Sequence, residues 1–152
     1  ELLLKISQHV GGVPPELSAS LGRISITPLS LHDAARNGDL KGVSEYLKKN
    51  QPVHAHDIRG IAPLGYAIGS NHIAVTKLLF DSRANPHEVD ANGNTGLHYA
   101  AGYGRKELTE YLLGLGVDGR KANNQGQTPR MLAALNRHQV CIDLLAEHGI
   151  TA

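Results

Sequence analysis

The feature that most constrains this chain is a period. Gly60, Gly93 and Gly126 stand 33 residues apart, and Asp57, Asp90 and Asn123 keep the same interval. So do Ala67, Ala100 and Ala133, the pair Leu64 and Leu97, and the series Tyr46, Leu79, Leu112 and Leu145. Running the register backwards places Leu31, His32, Ala34 and Ala35 over Leu64, Gly65, Ala67 and Ile68. A fixed period of this length marks an array whose units stack along one axis, each touching only its neighbours. The register predicts a repeat domain over 29–152, with units near 24–56, 57–89, 90–122 and 123–152, preceded by an extension over 1–28.

Within one unit, Asp90-Ala91-Asn92-Gly93-Asn94 reads as a tight turn, since Asn and Gly accept the backbone angles that turns demand. Thr95 then supplies a hydroxyl able to cap a short helix that Gly104 stops. Leu108, Tyr111, Leu112 and Leu113 share one face of a second helix, ended by Gly114 and Gly116. The unit is turn, short helix, turn, longer helix. One such pair cannot bury its apolar face alone, so the predicted fold is an all-α solenoid.

The composition fits that reading. The apolar set holds five Tyr, one Phe and no Trp, beside 17 Gly. Paired alanines, Ala34-Ala35 and Ala100-Ala101, let neighbouring helices approach closely and take the place of large rings in the core. Fifteen basic and fourteen acidic residues give a net charge of +1, which offers no electrostatic footprint for nucleic acid. The single Cys141 excludes an internal disulfide, and it falls in a core column with Val75 and Leu108. The chain starts at Glu1 without a signal-peptide or lipidation pattern, so it reads as an excised or processed fragment.

The period, the order of elements and the strings Thr95-Gly96-Leu97-His98-Tyr99-Ala100-Ala101 and Gln127-Thr128-Pro129 resemble the ankyrin-repeat family. Gly96 stands where that family has Pro, Gly65 and Met131 where it has His, and Arg130 where it has a first-helix Leu. The resemblance implies a non-enzymatic module that binds protein partners, with no cofactor. A narrower likeness lies in the stretch 94–107, which resembles the matching repeat of plant ankyrin proteins that sort chloroplast proteins. That likeness implies a chloroplast sorting factor, in the stroma or alternatively the cytosol, which pairs with itself or another ankyrin protein and handles cargo. In the outer-envelope chaperones of that group the motif serves lipid head groups, which here would fall to Tyr103 and Arg105.

Two catalytic or metal-binding readings are weaker. Gly114 to Gly119 spells a dinucleotide fingerprint, but the glycines follow a helix instead of opening one, so the phosphate-binding amides are missing. His54, His56 and Asp57, with His87 one repeat later, form the only histidine cluster, yet it lacks cysteine and zinc-site spacing; solvated turn histidines are expected. His32 and His98 share one template position of the first helix, and His72 and His138 share another just after it.

Function is then expected on residues the repeat leaves free, at turn tips and first-helix ends. The partner-binding candidates are Ile58, Arg59, Ile61, Asn92, Asn94, Gln125, Gln127 and Leu135, with Tyr103 and Arg105 as the aromatic and guanidinium types enriched at hot spots. Leu2, Leu3, Leu4 and Ile6 in the extension, and Val140, Ile142 and Leu144 in the last unit, are the candidates for an oligomer interface. Glu1–Val10 and the segment from Pro15 read as two short helices that cap the first unit or dock elsewhere.

Overall fold

The computed structural model describes residues 30–151. The extension, with Leu2, Leu3, Leu4 and Ile6, and the start of the first unit lie outside the described residues. Among the described residues eight helices alternate between seven and nine residues: α1 (Leu31–Asn37), α2 (Leu40–Lys48), α3 (Pro63–Gly69), α4 (Ile73–Asp81), α5 (Gly96–Gly102), α6 (Lys106–Gly114), α7 (Pro129–Leu135) and α8 (Gln139–Glu147). Among the described residues the sole β pairing is an isolated bridge between Val89 and Thr95. The all-α solenoid expected from the period is the architecture found.

Helices this short do not hold in water by themselves, because the cost of nucleation exceeds what one or two turns return. Caps and packing hold them. Ser30, Thr95 and Thr128 each accept, through the side chain, the amide three residues on, at the starts of α1, α5 and α7. At α5 the cap is reciprocal: His98 Nδ1 accepts the Thr95 amide at 3.0 Å. Pro63 and Pro129 open α3 and α7, where a missing N–H costs nothing.

The first helices α1, α3, α5 and α7 pack in succession, each against the next, and the second helices lie against them in a parallel layer. Ala34, Ala35, Ala67, Ala100, Ala101 and Ala133 are fully buried, with Val43, Leu79, Leu108, Leu112, Cys141 and Leu145 beside them. Small residues where helices cross, with leucines behind, account for a core almost without rings.

Among the described residues eleven adopt the left-handed backbone, and all fall in three series 33 residues apart: 60, 93, 126; 38, 71, 104, 137; and 50, 83, 116, 149. Asn50, Asn71, Arg83 and Arg137 occupy the conformation that glycine holds in sister units. Asparagine enters this region readily, so it is at Arg83 and Arg137 that the fold imposes the angle on a side chain that resists it, at a cost of about 1–2 kcal/mol each.

Two departures from the ankyrin pattern have packing causes. A Cβ on Gly96 would lie 2.8 Å from Ile68 Cδ1, so the core of the preceding unit occupies the place of a side chain. Gly96 is the first residue of α5, a position that leaves the body of the helix untouched. At Gly65 a Cβ would meet Ile61 Cγ2 at 2.8 Å and the Tyr99 ring at 3.3 Å.

A tyrosine- and arginine-lined groove across three repeats

The turns that open units two, three and four are built alike. Asp57 Oδ1 accepts the amides of Arg59 and Ile61, Asp90 Oδ1 those of Asn92 and Asn94, and Asn123 Oδ1 those of Gln125 and Gln127. An acid at two of these positions leaves a second oxygen, and in both cases a tyrosine nine residues on takes it: Tyr66 donates to Asp57 and Tyr99 donates to Asp90. In the last unit Asn123 and Leu132 replace the pair.

These bonds fix both partners electrically. Burial works to raise the Asp57 carboxyl, but hydrogen bonds from Tyr66 and the Ile61 and Arg59 amides outweigh it and hold the pKa below its ordinary value. Burial and the facing carboxylate push the Tyr66 and Tyr99 hydroxyls up. The carboxylates are thus consumed by turn and tyrosine, and neither lines the adjacent surface.

That surface is a groove of about 300 Å³ crossing units one to three. Its walls carry Tyr66, Tyr99 and Tyr103 together with Arg36, Arg59 and Arg105, and no acidic residue. Arg36 lies 5.9 Å from the centre of the Tyr66 ring and pairs with Asp33 at 3.2 Å. Arg105 lies 6.0 Å from the Tyr103 ring, and its Nη2 and Nε donate to the Gly69 carbonyl at 3.0 and 3.3 Å. Arg59 is exposed, and its side chain makes no hydrogen bond or ion pair among the described residues. Tyr103 is 55% exposed. An aromatic floor beneath guanidinium groups suits a partner that presents anionic or planar groups.

The structure therefore brings Arg59, Ile61, Tyr103 and Arg105 of the expected residues to one groove. Ile61 is half-buried against Gly65, not a free turn tip. Ile58 is fully exposed but lies outside the groove, beside His32, Asp33 and His56. Asn94 and Gln127 are joined through the Asn123 side-chain amide, at 2.9 and 3.2 Å, which spends their side chains on the turns. Asn92 and Gln125 are exposed at the tips, and Leu135 is 68% exposed on α7. Of the interface candidates in the last unit, Val140 is exposed, Ile142 half-buried against the core, and Leu144 buried. Tyr66 and Tyr99 went unnoticed among the candidates; the Asp-to-Tyr spacing repeated in two units was the available signal.

The histidines are more occupied than solvated turns would be. His54 Nδ1 and His56 Nε2 approach the two oxygens of Glu88 at 3.3 and 3.2 Å. His98 Nε2 donates to the Gln127 carbonyl at 2.9 Å and His32 Nε2 to the Ala55 carbonyl at 2.6 Å, so where this template position holds histidine, in α1 and α5, it ties the first helix to the following turn. His72 donates to the Arg36 carbonyl at 2.9 Å. Among the described residues no group of three or more His, Cys, Asp or Glu is placed to hold a metal ion.

Comparison with known families places the geometry. Residues 31–121 and 75–152 match the family model described as ankyrin repeats in three copies. The chain belongs to the ankyrin-repeat family. Among ankyrin relatives, protein phosphatase 1 regulatory subunit 27 of Mus musculus is 33% identical over 101 residues, 64% of each chain. The Homo sapiens protein of that name is 32% identical over the same shares. Ankyrin repeat domain-containing protein 63 of Homo sapiens is 30% identical over 105 residues, covering 65% of this chain and 27% of that protein. The match thus spans about two thirds of the phosphatase subunit and about a quarter of the other. Ankyrin repeats form a protein-interaction module, and this chain is one.

Proposed function

We propose that this chain is a non-enzymatic interaction module that seats a protein partner in the groove of Tyr66, Tyr99, Tyr103, Arg36, Arg59 and Arg105. The observation that carries the reading is the division of labour along the chain. Alanine and leucine are spent on the stack, whereas the exposed ring of Tyr103 and the exposed side chain of Arg59 share one groove. Relatives named as phosphatase regulatory subunits support a partner of protein nature. Panning a random peptide library on the chain tests this: binders that lose affinity on Tyr103→Ala are expected. Binders indifferent to every groove substitution would remove the groove from the proposal.

The finer assignment is a chloroplast protein-sorting factor, acting in the stroma in cargo delivery to the thylakoid or envelope machinery. It rests on the motif over 94–107. A fluorescent fusion of the full-length protein should concentrate in the plastid, and a diffuse cytosolic signal would reject it. Self-association, or pairing with another ankyrin protein, is supported by Met131, Leu135 and Val140, exposed by 48, 68 and 55% on the last unit. Met131 and Leu135 stand in register with His98 and Gly102, which are buried in the unit before. Light scattering at micromolar concentration should report a dimer that Leu135→Asp dissolves; a monomer throughout, alone and with ankyrin partners, rejects it. A lipid head-group site at Tyr103 and Arg105 is the second reading, favoured by their adjacency. It requires flotation with galactolipid vesicles that Tyr103→Ala abolishes.

A further inference from the structure

We infer that the partner segment held by the groove is an acidic peptide. The inference rests on the interaction reading above and adds the chemistry of what binds. Three guanidinium groups line the groove and no carboxylate does. The nearby acids are already engaged: Asp57 and Asp90 by tyrosine hydroxyls and turn amides, and Asp33 by Arg36. Asp33 occupies Arg36 and the Gly69 carbonyl occupies Arg105, so among the described residues the guanidinium left open to an incoming carboxylate is that of Arg59.

Arg36, Arg59 and Arg105 come from three successive units, and Tyr66, Tyr99 and Tyr103 supply flat faces between them against which the apolar parts of an acidic segment can rest.

Among the described residues no hydrogen bond or ion pair engages the exposed side chain of Arg59, so this residue is the probe. A glutamate-rich peptide of about twelve residues is titrated by fluorescence polarisation, beside the same peptide carrying glutamine. The glutamate peptide is expected to bind at least about tenfold more tightly, to weaken as salt rises, and to lose about tenfold on Arg59→Glu, with thermal unfolding of the variant unchanged. Equal binding of the two peptides, or binding indifferent to Arg59→Glu, overturns the inference. So does failure of the glutamate peptide while the chain floats with vesicles of anionic lipid, which would assign the arginines to a membrane. If library panning returns neutral or basic peptides that still require Tyr103, the acidic inference falls and the interaction reading stands. If panning returns nothing that depends on the groove, both fall.

Discussion

Arg105 reaches across a repeat boundary and closes the carbonyl of Gly69 with two hydrogen bonds. A residue that reads from the sequence as a hot-spot arginine is thereby also a structural brace. Arg105→Ala is expected to lower stability by about 1.5–3 kcal/mol, the usual range for hydrogen bonds from a charged group. Tyr103→Ala should stay within about 0.5 kcal/mol of the parent, as surface changes do. Urea denaturation of both variants checks this; equal stabilities would show that the Gly69 contact contributes nothing.

Gly96 and Ile68 should behave as a coupled pair. Gly96→Ala forces a methyl group toward Ile68 Cδ1, and Ile68 is fully buried, so it cannot swing aside. Overpacking of this kind costs about 1–3 kcal/mol, more than the ~0.4–1 kcal/mol that replacing glycine can return through the unfolded state. Ile68→Val removes the offending carbon at about 0.5–1.5 kcal/mol. The double variant should be more stable than the sum of the two losses predicts, and strict additivity in a double-mutant cycle would refute the contact.

His98 makes stability fall on the acid side of neutrality. Its imidazole is buried, and burial depresses its pKa from 6.5 despite the compensating bond to Gln127. Nδ1 accepts and Nε2 donates, so the neutral ring satisfies both bonds as it stands. Below about pH 6.5 the unfolded chain takes up a proton that the folded one refuses. The contribution is therefore complete above the unfolded pKa and is lost as pH falls below it toward the folded value. Between pH 7.5 and pH 5.5 the parent should lose more stability than His98→Gln; parallel losses would place the pH response elsewhere.

Cys141 should be silent until the protein opens. Burial raises its thiol pKa, against a small opposing effect of the Thr109 hydroxyl 3.8 Å away. Thiolate is the reactive form, and here it is both scarce and covered. Labelling with a disulfide reagent at neutral pH should be slower than in urea by about a hundredfold or more, with a rate that follows unfolding. Rapid labelling of the native chain would contradict the burial.

The period made the fold legible because each unit must present the same residues to its neighbours. The capping of α5 by Thr95, the buried alanines and the core place of Cys141 were all readable from register. The site was harder, since it is assembled from differences between units. Arg36, Arg59 and Arg105 occupy three different positions of the repeat, and alignment of the copies scatters them. Tyr66 and Tyr99 do share a register, and their repeated interval of nine residues from Asp57 and Asp90 was a signal to be read, but the bonds between hydroxyl and carboxylate that give it meaning come only from the folded turn. Leu144 and Ile142 looked available because their apolar character exceeds what a polar terminal unit should show; Leu144 is buried and Ile142 is half-buried against the core.

The carbonyls of Arg36, Gly69 and Gly102 lie one period apart, and each is closed by a side chain of the following unit: His72, Arg105 and Asn136. Helix ends of one repeat are thus finished with parts carried by the next. The interchangeable module of this protein is consequently not the 33-residue segment that the sequence displays. A shuffled or grafted unit brings its own helices but leaves its closing residue behind, so transplants that keep the cut beyond the following helix N-cap should survive where cuts at the turn do not.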